Sequence, residues 1–157
     1  MSLAIVRTRA SSGLSAPAVT VEVHLSNGLP SFSIVGLPET VVRESRERVR
    51  SALLTSGYDF PARRITVNLA PADLPKEGGR FDLPIALGIL EASDQLPVRC
   101  LNTLECAGEL GLGGELRPIQ GALVFSRAVS QEDRTLVLPA ARGTGERRHL
   151  CIICGRR

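Results

Sequence analysis

No stretch of the 157-residue chain approaches the roughly 18 consecutive apolar residues of a membrane span, so no transmembrane segment is expected. Residues 1–7 lack a basic region followed by a long apolar run, so they do not read as a secretory signal. The expected location is cytoplasmic. Histidine is scarce: His24 and His149 alone are present. Nucleophilic catalysis therefore has few bases to draw on, and His24 falls on the polar phase of a strand. Lysine is scarcer still. Lys76 is the single one among 19 basic residues, and Glu77 follows it. A phosphate-binding G-x-x-x-x-G-K-[ST] loop is thus missing, and ATP binding by this chain alone is not expected. The four cysteines are Cys100, Cys106, Cys151 and Cys154. Without a secretory signal they do not suggest a disulfide framework. Cys151-Ile-Ile-Cys154 has the spacing of half a zinc site, but no second pair completes four ligands, so no metal is assigned.

What is present is ordinary for a globular domain: 43% apolar and 22% charged residues. A chain of this length buries about two-thirds of its unfolded surface, enough for one real core. The formal net charge of +3 is unevenly placed. Residues 1–140 hold 14 basic and 15 acidic side chains, and residues 141–157 hold five arginines against Glu146. The division is a domain over 1–140 and an irregular Arg-rich tail over 141–157. A near-neutral body argues against strong independent affinity for nucleic acid.

Residues 19–25 alternate, with Val19, Val21, Val23 and Leu25 on one face, and 31–35 resume a strand. Asn27-Gly28 between them predicts a β-hairpin, and residues 3–9 suggest a further strand. Pro38 suits the first turn of a helix over 39–56, which Gly57 ends. Along it, Glu39/Arg43, Arg43/Glu47 and Glu44/Arg48 are spaced as ion pairs. The basic residues Arg43, Arg46, Arg48 and Arg50 form either a solvated face or a set of phosphate contacts. A strand over 64–69, a helix over 83–93, a hairpin around Gly111-Leu-Gly-Gly114, a helix over 122–130 and a strand over 135–138 complete the pattern. The class is α+β, a mixed sheet with three helices.

The densest stretch is Lys76-Glu-Gly-Gly-Arg80, followed by a helix for which Asp82 is the expected N-cap. Two glycines, two cations and a helix N-terminus suit an anion. The same glycines equally suit a tight turn, and both readings stand. The carboxylates Asp73 and Glu77 are not distinguished from ordinary loop charges.

Three segments carry a family resemblance: Val35-Gly-Leu-Pro-Glu-Thr40, Arg48-Val-Arg-Ser-Ala52, and Asn68-Leu-Ala-Pro-Ala-Asp-Leu-Pro-Lys-Glu-Gly-Gly-Arg-Phe-Asp-Leu-Pro-Ile-Ala86. Through them residues 1–140 resemble the N-terminal domain of bacterial ComM proteins, the magnesium-chelatase-like family also labelled "ATP-dependent protease". The resemblance implies longer relatives with an AAA+ module that uses ATP and magnesium. They form hexameric motors for DNA branch migration in natural transformation, and this chain would stop short of that module. The domain is also similar to the Lon protease catalytic domain, of ribosomal-protein-S5 domain-2-like fold. That likeness implies a Ser–Lys dyad. Here the serine position falls at Arg80 or Asp82 and the lysine position near Leu123, so peptidase chemistry and enzyme activity are not expected. Similarity to the Lon-like domain of RadA recombination proteins implies DNA contact or hexamer assembly. The candidate contacts are Arg63, Arg64, Lys76, Gly78, Gly79 and Arg80. The expected partners are DNA, further copies of the chain and an AAA+ module. No cofactor is expected in this chain.

Overall fold

The alternating valines form the centre of the molecule. The computed structural model describes residues 2–97 and 100–140. The expected tail, His149, Cys151 and Cys154 lie outside them. Strand β2 (Ala18–Ser26) pairs antiparallel on one side with β1 (Ser2–Arg9) and on the other with β4 (Arg64–Ala70). Strand β3 (Ser31–Val35) runs parallel to β4 at one edge. At the other side β5 (Leu104–Cys106) and β8 (Thr135–Val137) continue in parallel, giving the order β3-β4-β2-β1-β5-β8. The short strands β6 (Glu109–Leu110) and β7 (Leu116–Arg117) form a separate hairpin.

The expected β2–β3 hairpin is not formed. β4 occupies the place beside β2 with seven register pairs, and the five-residue β3 is displaced to the edge. The Asn27-Gly28 signal is local; it reverses the chain but does not choose the neighbouring strand. The expected helix over 39–56 begins later and is interrupted. Helix α1 (Thr40–Arg43) is a single turn, and α2 (Ser45–Thr55) follows after Glu44. Pro38 lies before the N-cap Glu39, in an isolated parallel bridge to Lys76. Gly57, at φ +84°, ends α2 as expected. Its N–H bonds the Leu54 carbonyl and the Tyr58 N–H bonds that of Leu53.

Helix α3 (Asp82–Ala92) is the core element, with every residue except Glu91 buried. It lies on the inner face of β1 and β2 and against α2. Gly88 permits the approach: a Cβ there would stand 2.5 Å from Val23 Cγ2. Pro84 sits in the first turn, where no intrahelical partner for an N–H exists. The helix ends at Asp94 in the left-handed region, with the Gln95 N–H on the Leu90 carbonyl at 2.8 Å. Helix α4 (Ala122–Val129) packs Phe125 and Val129 on Leu136 and Leu138 in a smaller cluster. The fold is α+β, a six-stranded mixed sheet with the three expected helical segments.

Candidate functional site

The segments that carried the resemblance meet in space through a few buried residues. Gly36, at φ +99°, passes so close to Leu69 that a Cβ would stand 2.1 Å from its carbonyl oxygen. The Gly36 carbonyl accepts from Lys76 Nζ at 2.7 Å, and the Pro71 carbonyl accepts from the same ammonium. Lys76 is fully buried, and burial pushes its ammonium below the usual lysine range. Backbone bonds reinforce the junction: the Glu39 N–H donates to the Lys76 carbonyl at 3.1 Å. Lys76 therefore staples the loop after β3 to the loop after β4.

Asp82 corrects its expectation as a helix cap. It is the first residue of α3, the N-cap position belongs to Phe81, and no side-chain capping bond forms. Its buried carboxylate instead accepts from Ser45 Oγ at 2.5 Å, from Arg48 Nε at 2.7 Å and Nη2 at 3.0 Å, and from the Leu110 N–H at 3.1 Å. Burial raises its carboxyl above the ordinary range, against the pull of Arg48, Ser45 and Leu110. The group links α2, α3 and β6. Arg48 Nη2 also donates to the Val41 carbonyl at 3.0 Å and to Ser45 Oγ at 3.2 Å, and Glu44 lies 3.9 Å away.

The expected anion cradle is built as a tight turn. Gly78 adopts φ +75°. A Cβ at Gly79 would collide with the Glu109 side chain at 2.6 Å from Oε2. Arg80 is buried, and its Nη2 donates to the Gln120 carbonyl at 2.8 Å. Lys76 and Arg80 are thus both committed to carbonyls. Near the implied dyad positions, Asp82 is held by its network and Leu123 is 83% exposed on α4. His24 is half-buried on the outer sheet face. Among the described residues no group of three or more His, Cys, Asp or Glu side chains is placed to hold a metal. No helix among them is long and apolar enough to cross a membrane.

Of the six expected contacts, Arg63 and Arg64 present charge outward: Arg64 is exposed and Arg63 half-buried. Arg63 lines a cleft of about 450 Å³ between the start of β3, α2 and the segment before β4. Its other walls carry Phe32, Phe60, Arg46, Arg50 and Glu47. Arg46 donates through Nε to the Arg43 carbonyl at 3.1 Å and through Nη1 to the Phe32 carbonyl at 3.3 Å. The Arg50 guanidinium lies 4.9 Å from the Phe60 ring centroid, and the Phe32 and Phe60 rings are 5.8 Å apart. Arg63 Nη2 donates to Asn27 Oδ1 at 3.4 Å. Among the described residues, no ion pair within 4.0 Å involves Arg46, Arg50 or Arg63. The spacing of Arg46 and Arg50, four residues apart on one helix, is the signal in the sequence that points here. Phe32 and Phe60 carry no such signal, because 28 residues separate them.

The family model for subunit ChlI of Mg-chelatase matches residues 21–142. The chain belongs to that family. It is 59% identical over 138 residues to the competence protein ComM of Haemophilus influenzae, covering 88% of the chain and 27% of that protein. Identity to the uncharacterized protein YifB is 56% in Salmonella typhimurium and 55% in Escherichia coli, with the same coverage. The chain thus spans about a quarter of the length of these relatives. The ComM-like resemblance read from residues 35–86 agrees with these matches.

Proposed function

We propose that this ChlI-family domain is a non-catalytic nucleic-acid-contacting module that works beside an ATP-driven motor of the ComM kind in DNA branch migration during natural transformation or recombination. The observation that carries the reading is the convergence of Arg46, Arg50 and Arg63, none of them ion-paired within 4.0 Å among the described residues, on one cleft. Guanidinium donors suit phosphate oxygens in bidentate geometry. The relation to a competence protein gives such a surface a DNA context. Asp82, at an implied nucleophile position, is held by Ser45, Arg48 and the Leu110 amide, which supports a role without hydrolysis.

A second reading is assembly. The outer sheet face shows Leu3 at 61%, Ile5 at 43% and Val35 at 46% exposure, with Ile5 and Val35 in one register row through Glu22 and Asn68. Fluorescence anisotropy with labelled DNA at two salt concentrations tests both readings, with light scattering on the same samples. The expected result is salt-dependent binding that weakens when Arg46, Arg50 and Arg63 are all changed to Gln. The salt slope should fall by about one for each phosphate that the variant no longer neutralises. Binding unaffected by the triple change rejects the cleft as the DNA-contacting surface. Self-association without binding establishes assembly instead.

A further inference from the structure

The cleft holds more than charge. A surface built for the phosphates of a duplex needs cations alone, since paired bases stay stacked inside the helix. Here the three arginines surround an aromatic pair, and the Phe32 and Phe60 rings are only half-buried. The volume of about 450 Å³ lies in the roughly 300–1,000 Å³ range of small-ligand pockets, room for one nucleotide and not for a double helix. Arg50 is exposed and its guanidinium lies over Phe60, a position from which its N–H donors remain open to a ligand in the cleft. Arg46 bonds two carbonyls and Arg63 makes one long contact to Asn27, and unlike the buried Arg80 both keep outward N–H donors for a phosphate.

We infer that this cleft seats one unstacked nucleotide of single-stranded nucleic acid, its base taking the place of the Arg50 guanidinium against Phe60 and Phe32, and its flanking phosphates on Arg46, Arg63 and the released Arg50. The inference rests on the nucleic-acid reading above and adds the strand state and the seat. Base-on-aromatic stacking tolerates any sequence, because every base has a π-face. Glu47 lines the same cleft and opposes a phosphate there. DNA and RNA share the chemistry, so both belong in the test.

The whole chain would be titrated with labelled oligothymidylate and oligouridylate of about ten nucleotides, and with a blunt duplex of equal length. Phe60→Leu is expected to weaken single-strand binding by about tenfold and leave duplex binding unchanged. Glu47→Gln, at an exposed residue, is expected to strengthen binding by about threefold. Thermal melts check that Phe60→Leu remains folded. If it does not, Glu47→Gln and the comparison of strand types carry the decision. Equal binding of duplex and single strands overturns the inference. So does a folded Phe60→Leu with undiminished affinity, even where the triple arginine change abolishes binding, which leaves the phosphate contact standing alone. Equal competition by polyglutamate reduces the cleft to a general polyanion site and overturns the nucleotide seat. A triple arginine variant with full affinity defeats both this inference and the reading beneath it.

Discussion

Lys76 shows how a residue's chemistry and its role part company. As the single lysine in a glycine-flanked loop it reads as an anion ligand. In the fold its ammonium meets the Gly36 and Pro71 carbonyls instead. Lys76→Ala leaves a cavity and two carbonyls without their donor. Removing a buried ammonium relieves some desolvation, but the missing packing and hydrogen bonds outweigh it, with an expected net destabilisation of about 2 kcal/mol. Urea unfolding measures that difference. The salt slope of DNA binding should stay unchanged in the folded fraction, because Lys76 is fully buried. A reduced slope would return Lys76 to the contact surface. Asp82 teaches the same lesson: an aspartate before a helical pattern suggests a cap, and only the neighbouring Ser45, Arg48 and Leu110 reveal a buried linking group.

At the scale of elements, period was legible and partners were not. The strands over 19–25, 31–35 and 64–69 and the helices over 83–93 and 122–130 lie close to their observed bounds. Their spacing of apolar residues reflects which face each buries, and that is a local property. The β2–β3 hairpin failed because strand pairing is decided by competition among distant segments, and β4 matches β2 over a longer register. Helix α3 tests the packing directly. Alanine in place of a helical glycine ordinarily adds about 1 kcal/mol of stability. At Gly88 the new methyl would meet Val23 Cγ2 at 2.5 Å, and overpacking costs about 1–3 kcal/mol. The clash should prevail, so Gly88→Ala is expected to lower the thermal midpoint. An unchanged or raised midpoint would mean that α3 does not seat this closely on β2.

At the scale of the whole molecule, Arg9 joins distant parts of the chain. Its guanidinium bonds Glu105 on β5 at 2.9 and 3.1 Å, Glu132 after α4 at 2.7 Å and the Ala16 carbonyl at 3.2 Å. Arg9 holds the Glu132 carboxyl below its ordinary range. A depressed carboxylate contributes stability that is fully present above its unfolded value and is lost as pH falls through the folded value. Wild type should therefore melt above Glu132→Gln at neutral pH, and the two curves should converge in acid. A constant gap down to low pH would show that the pair does not titrate in this way.

The amino-acid sequence alone determined the α+β class, the positions of most strands and helices, the family, and the turn-forming role open to Gly78. These follow from local period, backbone freedom and runs of specific residues. Tertiary structure decided the order of the sheet, the inward fate of Lys76, Arg80 and Asp82, and the meeting of Phe32, Arg46, Arg50, Phe60 and Arg63 at one cleft. Burial and juxtaposition depend on which segments pack together. That choice is a competition over the whole chain, and no single stretch of residues records its outcome.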